Sequence, residues 1–571
     1  MRNLVILGGG VTGWFTASLL AKRHSKNDLK ITLVESPDVP ILGVGESTIP
    51  HLGDMLRWLE VDENKWMKGT RSVYKLGNHF VGWNSETPKN HVTDHWNAPK
   101  SEQQFYHFSI THRDGVFKKS FQNKIIEEDY LYDNDGSYGI DNKSYDYALQ
   151  LVREGKISVE DVAEYTSDQY YLAMKNKSPY DMDNDLLLGD LKTYAWHVDA
   201  ERFPIIVREQ VASPLGVKWI KGYVQNVNKS DNGDVVSLDL KDGSNIEGDI
   251  FVDCTGFHRL LMKQMPTKWK QLTHLPTQSA IVAPIKYKDP YNEMKPYTQS
   301  YAQKNGWNFI IPLYSRMGSG YIFDKNSEDP DSARERFIKY WDGYDFVKDP
   351  RLIQWESGWY EDAWINNVVG VGMSQGFVDP MEANSIYVAQ SCIQILDQVL
   401  EKYKHKDIPE IAKKSYSRQQ QKLEKQISDF ISYHFTLSKR KDSPMWKKWG
   451  NNTEDAIKNW QEYRSPRGYT GRNMFLDYQW AQQQLYLDRF DKNCDIKIKE
   501  SLMPLAKVNF DFIKNKGEAL SNYAPNVYDY LREKMYNGAT PSEVLENDLH
   551  ETELDFSYLS SPNSLSKKIL E

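Results

Sequence analysis

An apolar run from Asn3 to Leu7 breaks into Gly8-Gly9-Gly10-Val11-Thr12-Gly13-Trp14, after which helical spacing continues to about Lys22. A short continuous apolar run bounded by glycine predicts a buried strand, and the period that follows predicts a helix. Leu29 to Val34 predict a second strand ending at Glu35, so the chain opens as strand-helix-strand. Three more strand-like runs lie between Val217 and Cys254, separated by hairpin turns at Asp231-Asn232-Gly233 and Lys241-Asp242-Gly243. The last, Ile250 to Asp253, is apolar enough to return to the central sheet. A strand near Asn367–Val371 leads to Gly372, and a helix is expected from about Ser385 to Tyr403. Beyond Asp407 the pattern changes. Leu423, Ile427, Phe430, Ile431 and His434 mark one face of a long amphipathic helix, and much of the remainder reads as helix. Residues 111–190, acidic, Asn- and Tyr-rich and weakly periodic, are expected as an insertion; residues 448–475 are expected as loop, and the Ser-rich last dozen as frayed.

Composition narrows the class. With 571 residues and 40% hydrophobic content, the chain can bury one large core or two smaller ones. A net charge of −8 leaves no basic surface for nucleic acid. No apolar run approaches the roughly 18 residues that span a bilayer, and the first strand is too short for a secretory apolar region. Cys254, Cys392 and Cys494 are scattered, which argues against a disulfide framework or a zinc site and for a cytoplasmic protein. His91 and His95 have metal-like spacing but no evident third ligand, and are expected to be solvated loop residues. The aromatic load, 17 Trp and 35 Tyr, suits either a large core or a site for planar rings.

Gly8-x-Gly10-x-x-Gly13 follows a strand and opens a helix, the context a dinucleotide fingerprint requires. The glycines provide the tight turn, the close approach to a pyrophosphate and the close packing of helix on strand. Val11 and Thr12 open the helix whose amides and partial positive charge face the phosphates. Glu35, at the end of the second strand, is placed to accept a hydrogen bond from a ribose hydroxyl. Gly248 to Gly256, with Asp253, resembles the late strand-and-turn segment of flavin monooxygenases, which points to FAD rather than NAD. No second fingerprint for NAD(P)H appears.

Several ordered blocks resemble the flavin-dependent tryptophan halogenase family. Gly43-Val44-Gly45-Glu46-Ser47-Thr48-Ile49-Pro50 is similar to its strap beside the flavin, and Tyr74-Lys75 to the segment carrying its catalytic lysine. Phe105-Tyr106-His107, Ala195 to Ala200, Asn305 to Pro312, Gly318 to Tyr321 and Asp379-Pro380-Met381-Glu382 follow in family order, then Asp429 to Ile431, His434-Phe435 and Asp442 to Trp446. The resemblance implies an α/β fold: an FAD-binding Rossmann-like, flavin monooxygenase-type core over residues 1–405, inserted around 111–190. A mainly helical C-terminal region, 406–571, would pack over the substrate site.

It also implies a reaction. Reduced FAD, O₂ and halide yield hypohalous acid, which Lys75 would either hydrogen-bond as an ammonium or take up as a haloamine beside an aromatic substrate, while Glu382 would stabilise the charge growing on the ring and could take its proton. Trp307 and Phe309 would wall the flavin from the substrate, and His107 would stack on it. Gly45, Glu46, Ser47 and Gly372 would border the flavin. The resemblance further suggests a homodimer, and the missing NAD(P)H fingerprint suggests a separate NAD(P)H-dependent flavin reductase. Three departures stand out. Ala383-Asn384-Ser385 replaces the Ser-Thr-Gly whose amides hold halide, so Asn384 and Ser385 become the halide candidates. Ser109 stands where tryptophan-binding members place a second stacking aromatic. Residues 468–488, with Tyr469, Tyr478 and Trp480, lack the arrangement that grips free tryptophan. An indole, phenol or other electron-rich aromatic is therefore expected as substrate. The competing readings are a flavin monooxygenase on the same scaffold and a flavin-binding protein without catalysis.

Overall fold

The computed structural model describes residues 2–37, 44–108, 147–148, 150–188, 194–450 and 503–550. Strand Arg2–Leu7 lies at the centre of a six-stranded sheet. Its parallel neighbours are Leu29–Glu35 on one side and Ile250–Asp253 on the other. Lys218–Lys221 extends the sheet beyond Leu29–Glu35, and Val368–Gly370 extends it beyond Ile250–Asp253. The central strands are apolar on both faces because both are covered: Leu4, Ile6 and Leu33 pack with the first helix, while Val5, Leu7 and Phe251 pack with Val235, Leu238 and Leu240. Helix Val11–Arg23 buries Trp14, Phe15, Leu19 and Leu20, and helix Ser385–Lys402 packs beside it. In this register Leu7 lies opposite both Val34 and Asp253, so the carboxyl ends of three parallel strands open at one level. Ligands of such sheets bind at that edge.

The expectation of three runs between Val217 and Cys254 needs correction. The first is split at Gly222, because Lys218–Lys221 joins the parallel sheet while Val224–Lys229 turns into a separate hairpin sheet with Val235–Leu240. Asn245–Glu247 then forms its own strand before the chain re-enters the central sheet.

A second, seven-stranded sheet carries Ser279–Ile285, Met317–Phe323, Gly306–Pro312, Thr298–Gln303, Gly77–Val81 and Gln103–His107 in adjacent positions. Its inner strands are buried throughout. A small sheet of Glu46–Ser47, Ala195–Val198 and Val73–Lys75 abuts this one, since Lys75 is followed after a single residue by Gly77–Val81. Lys75 thus stands at a corner between sheets.

The long amphipathic helix is Glu410–Leu437, and of its five marker residues all but Leu423 are fully buried. Where the described part of the weakly periodic stretch can be followed, helices Val162–Thr166 and Asp168–Met174 pack against helix Met503–Tyr523. Gly43, Ser109, most of the loop expected at 448–475, the segment 468–488 and Cys494 lie outside the described residues.

The histidine expectation also fails. His91 caps helix Val92–Trp96, and His95 is buried within it, stacked 4.8 Å from Tyr301 and bonded to Ala302 O and Tyr340 Oη. Burial drives its ring down to about 3, so it is a neutral core residue. Among the described residues, no helix is long and apolar enough to cross a membrane and no group of three ligands could hold a metal.

Candidate active site

The strand ends enclose a cavity of about 570 Å³, lined by Gly8, Gly10, Val11, Thr12, Glu35 and Glu46 together with Tyr223, the turn Thr255–His258, Met373 and Ser385. Gly8 adopts φ +112°, and a Cβ there would sit 2.4 Å from Cys254 O. Gly13 lies under the turn, where a Cβ would sit 1.8 Å from Gly8 O. At Gly10 the Cβ direction is open, so its backbone faces free cavity. Glu35 accepts from Trp219 Nε1 at 2.8 Å, and Arg208 covers that indole at 4.1 Å. Burial raises the Glu35 carboxyl, while Trp219 and Arg208 oppose the rise. A space with a glycine floor, a helix N-terminus and a carboxylate at the strand end fits a dinucleotide such as FAD.

Not every expected cofactor residue reaches this space. Asp253 is committed to its own turn, accepting from the amides of Thr255, Leu261 and Met262. It shapes the wall without lining it. Gly13, Gly45, Ser47 and Gly372 are likewise behind the surface: Ser47 Oγ bonds Thr298 Oγ1 at 2.6 Å, and Gly372 abuts Thr12. Tyr223, Phe257, His258 and Met373 were not anticipated, because loop positions that meet only across the fold leave no periodic trace.

The strap leads from this cavity to a second centre. Glu46 lines the cavity, and two residues later Thr48 O accepts a hydrogen bond of 2.9 Å from Lys75 Nζ. Lys75 is 0% exposed, and burial pushes its amine down to about 7, with the charge of Glu382 opposing the shift. Glu382 is held on both oxygens. Asn78 Nδ2 donates to Oε2 at 3.2 Å, and His434 Nε2 lies 3.0 Å from Oε1. The ring of Phe108 lies 5.3 Å from Lys75 Nζ, one residue past His107 at the end of strand Gln103–His107. Lys75 and Glu382, 307 positions apart in sequence, therefore come close enough for the charge of Glu382 to act on Lys75. Asn78, Phe108 and His434 complete this cluster. Of these, only His434 carried a sequence signal, as part of a buried helical face.

Trp307 and Phe309 share one face of strand Gly306–Pro312, their rings 6.4 Å apart. Trp307 packs on Trp83, whose indole meets His434 edge-on at 5.9 Å. Trp307 thus reaches the Glu382 cluster through Trp83 and His434, and neither Trp307 nor Phe309 lines the large cavity.

Beyond Glu382 the backbone is unusual. Glu382 and Ala383 both adopt left-handed φ, +60° and +55°, a conformation costing ordinary residues about 1–2 kcal/mol each. This double turn delivers Asn384 to the N-terminus of helix Ser385–Lys402. A small cavity of about 20 Å³, room for one water, lies there between Gly372, Asp379, Asn384, Ser385 and Glu424. Ser385 and Met373 border both cavities. Asn384 is 4% exposed, and neither amide atom has a hydrogen-bond partner among the described residues. Burial pushes the Glu424 carboxyl up to about 8, and Gln375 Nε2 donates to it at 2.7 Å.

Comparison with known proteins adds an independent line. The tryptophan halogenase family model matches residues 3–487. The chain is 29% identical to the tryptophan 7-halogenase RebH of Lentzea aerocolonigenes over 449 residues, 78% of each chain. It is 26% identical to the tryptophan 6-halogenase ThaL of Streptomyces albogriseolus, across 93% of this chain and 98% of that one. Among solved structures, a tryptophan halogenase from Shewanella frigidimarina superposes with a TM-score of 0.76 at 23% identity, covering 95% of this chain and 99% of that one. A flavin-dependent halogenase from Xanthomonas campestris gives 0.74 at 24% identity, covering 93% and 98%.

Proposed function

The chain belongs to the tryptophan halogenase family, and on that premise we propose that it uses reduced FAD, O₂ and halide to halogenate an electron-rich aromatic compound other than free tryptophan. The observation that carries this reading is the buried Lys75, within reach of the Glu382 charge and bonded to Thr48, two strap residues past the cavity-lining Glu46. When bound, reduced FAD would supply two of the four electrons that O₂ takes up, and halide would supply the other two as it becomes hypohalous acid, with water as the second product. Gly8, Gly10, Val11 and Thr12 cradle its pyrophosphate, Glu35 its ribose, and Glu46 borders it from the strap, with Gly13, Gly45, Ser47, Asp253 and Gly372 shaping the wall behind.

Asn384 and Ser385 are the halide contacts; an orphaned buried amide beside a helix N-terminus supports the choice. Lys75 holds the hypohalous acid at the substrate end, away from water. Glu382 stabilises the cationic ring created by electrophilic attack and accepts its proton. Trp307 and Phe309 keep substrate and cofactor apart, and His107, beside Phe108, offers a face for the aromatic ring. The same proposal includes a separate NAD(P)H-dependent flavin reductase as electron donor, a homodimer, and a cytoplasmic location.

The test supplies FADH₂ from a reductase, with O₂, bromide and indole, and weighs the product. Brominated indole, lost in Lys75→Ala, is the expected outcome. An oxygenated product would point to a monooxygenase. FAD binding with activity unchanged in Lys75→Ala would remove the lysine from the mechanism.

A further inference from the structure

Glu46 carries the carboxyl of the strap, and it lines the large cavity. Its backbone is pinned: strand Glu46–Ser47 pairs antiparallel with Ala195–Val198, placing Glu46 opposite Val198. Its side chain is not. Among the described residues the carboxyl has no hydrogen bond and no ion pair. The other carboxyl of the cavity, Glu35, is answered by Trp219 Nε1 and by the Arg208 guanidinium. A partly buried acid that faces neither a donor nor a cation gains nothing by ionising, and burial alone moves Glu46 up to about 7.

The groups on the surrounding elements are engaged elsewhere. On strand Ala195–Val198, His197 bonds Thr298 Oγ1 at 2.9 Å and is kept neutral by burial. Asp199, just past that strand, holds Arg316 at 2.9 Å. Ser47 Oγ turns to Thr298, and Lys75 donates to Thr48 O. Glu35 and His258 share the cavity, and neither shifts Glu46.

The proposed reaction needs a proton. Its balance is FADH₂ + O₂ + X⁻ + H⁺ → FAD + HOX + H₂O, so each turnover takes up one proton that neither reduced FAD nor halide brings. Halide gives an electron pair to one oxygen and the O–O bond breaks. The pair of that bond stays with the other oxygen, which becomes water only by gaining a proton. An acid poised near neutrality can both give that proton and recover it.

We propose that Glu46 is the proton donor of hypohalous acid formation: its carboxylic acid faces the cofactor cavity, passes its proton to the oxygen that leaves as water, and is reprotonated from solvent before the next turnover. Ser385, a halide candidate, lines the same cavity, so donor and halide open into one space. The strap then has two duties. Glu46 serves oxygen at the cofactor, and the Thr48 carbonyl holds the lysine at the substrate.

This inference rests on the halogenase reading, but its first test does not. Glu46→Gln keeps the shape and has no carboxylic proton; Glu46→Met replaces it if the first variant does not fold. In infrared spectra of the full-length protein with oxidised FAD bound, wild type minus variant should show a protonated-carboxyl band at pH 6 that fades as pH rises past 7. No such band at pH 6 overturns the proposal. The second test follows the electrons of reduced FAD. Reducing O₂ only as far as hydrogen peroxide needs no added proton, so the variant should still consume O₂. Its FAD affinity, read by fluorescence titration, should be unchanged. Brominated indole formed per O₂ should fall about 100-fold, with hydrogen peroxide in its place. Glu46→Asp, which keeps an acid, should restore part of the brominated product. Unchanged product per O₂ overturns the proposal, and so does loss of FAD binding, which would make Glu46 a cofactor contact instead. Absence of brominated indole in the wild type would refute the proposed function while leaving the infrared band standing.

Discussion

Lys75 is the least comfortable residue in the pocket, and its discomfort is measurable. A lysine whose basicity falls to about 7 on folding holds fewer protons than its unfolded counterpart from pH 7 to 10.5. Stability therefore rises with pH across that window, and the burial penalty is largest below it, on the order of 3–5 kcal/mol. Lys75→Met keeps the side chain's length and removes the amine. It is expected to raise the melting temperature at pH 6.5 by several degrees, with a gain that shrinks by pH 9, while halogenation falls to background. A destabilised variant would show that Lys75 is not a strained functional group. Lys75 and Glu382 could be singled out in the sequence only through family resemblance, since neither lies in a pattern that marks a buried charge. The left-handed pair at Glu382 and Ala383 was invisible, because no glycine or asparagine announces it. The burial of His95 leaves no mark in the sequence, because five helical residues are too few to show a period.

Elements were easier to read where burial is periodic and harder where topology decides. The opening strand-turn-helix, the return of Ile250–Asp253 to the sheet and helix Glu410–Leu437 all follow from apolar spacing. The split at Gly222 does not, because it depends on the Gly222 amide bonding Glu35 O in a strand far away in sequence. Helix Glu410–Leu437 also carries Glu424, a carboxyl raised to about 8 that is 1% exposed. A raised acid binds a proton in the folded state that the unfolded chain has released. Its contribution is complete below the ordinary glutamate value and is lost as pH climbs through 8. Glu424→Gln keeps the shape and cancels the titration. Between pH 5 and 8 the wild type should lose about 1.4 kcal/mol per pH unit relative to this variant, read as the difference between their denaturation midpoints. Parallel pH dependences would mean that Glu424 is ionised in the folded protein.

At the scale of the whole molecule, the strand that carries Lys75 depends on helices more than 450 residues away in sequence. Tyr74 points away from Lys75 and meets Tyr194, Tyr180 and Tyr530, the last on helix Val527–Lys534. Tyr536 stacks on Tyr314 at 3.7 Å, beside the strand that carries Trp307 and Phe309. The clasp is Asp548 in helix Pro541–His550, which takes Arg71 and Arg202 at 2.6 Å each. Arg71 comes two residues before strand Val73–Lys75, so the clasp fixes the origin of the strand that delivers the lysine. Both guanidiniums are largely buried, and removing their shared anion leaves two charges with one fewer compensating group, at a cost of about 3 kcal/mol or more. Asp548→Ala should lower stability by that amount in a denaturant titration and reduce halogenation more than it reduces FAD affinity. The dinucleotide cavity lies against the other sheet and draws no lining residue from 503–550, so a loss confined to FAD binding would contradict the clasp.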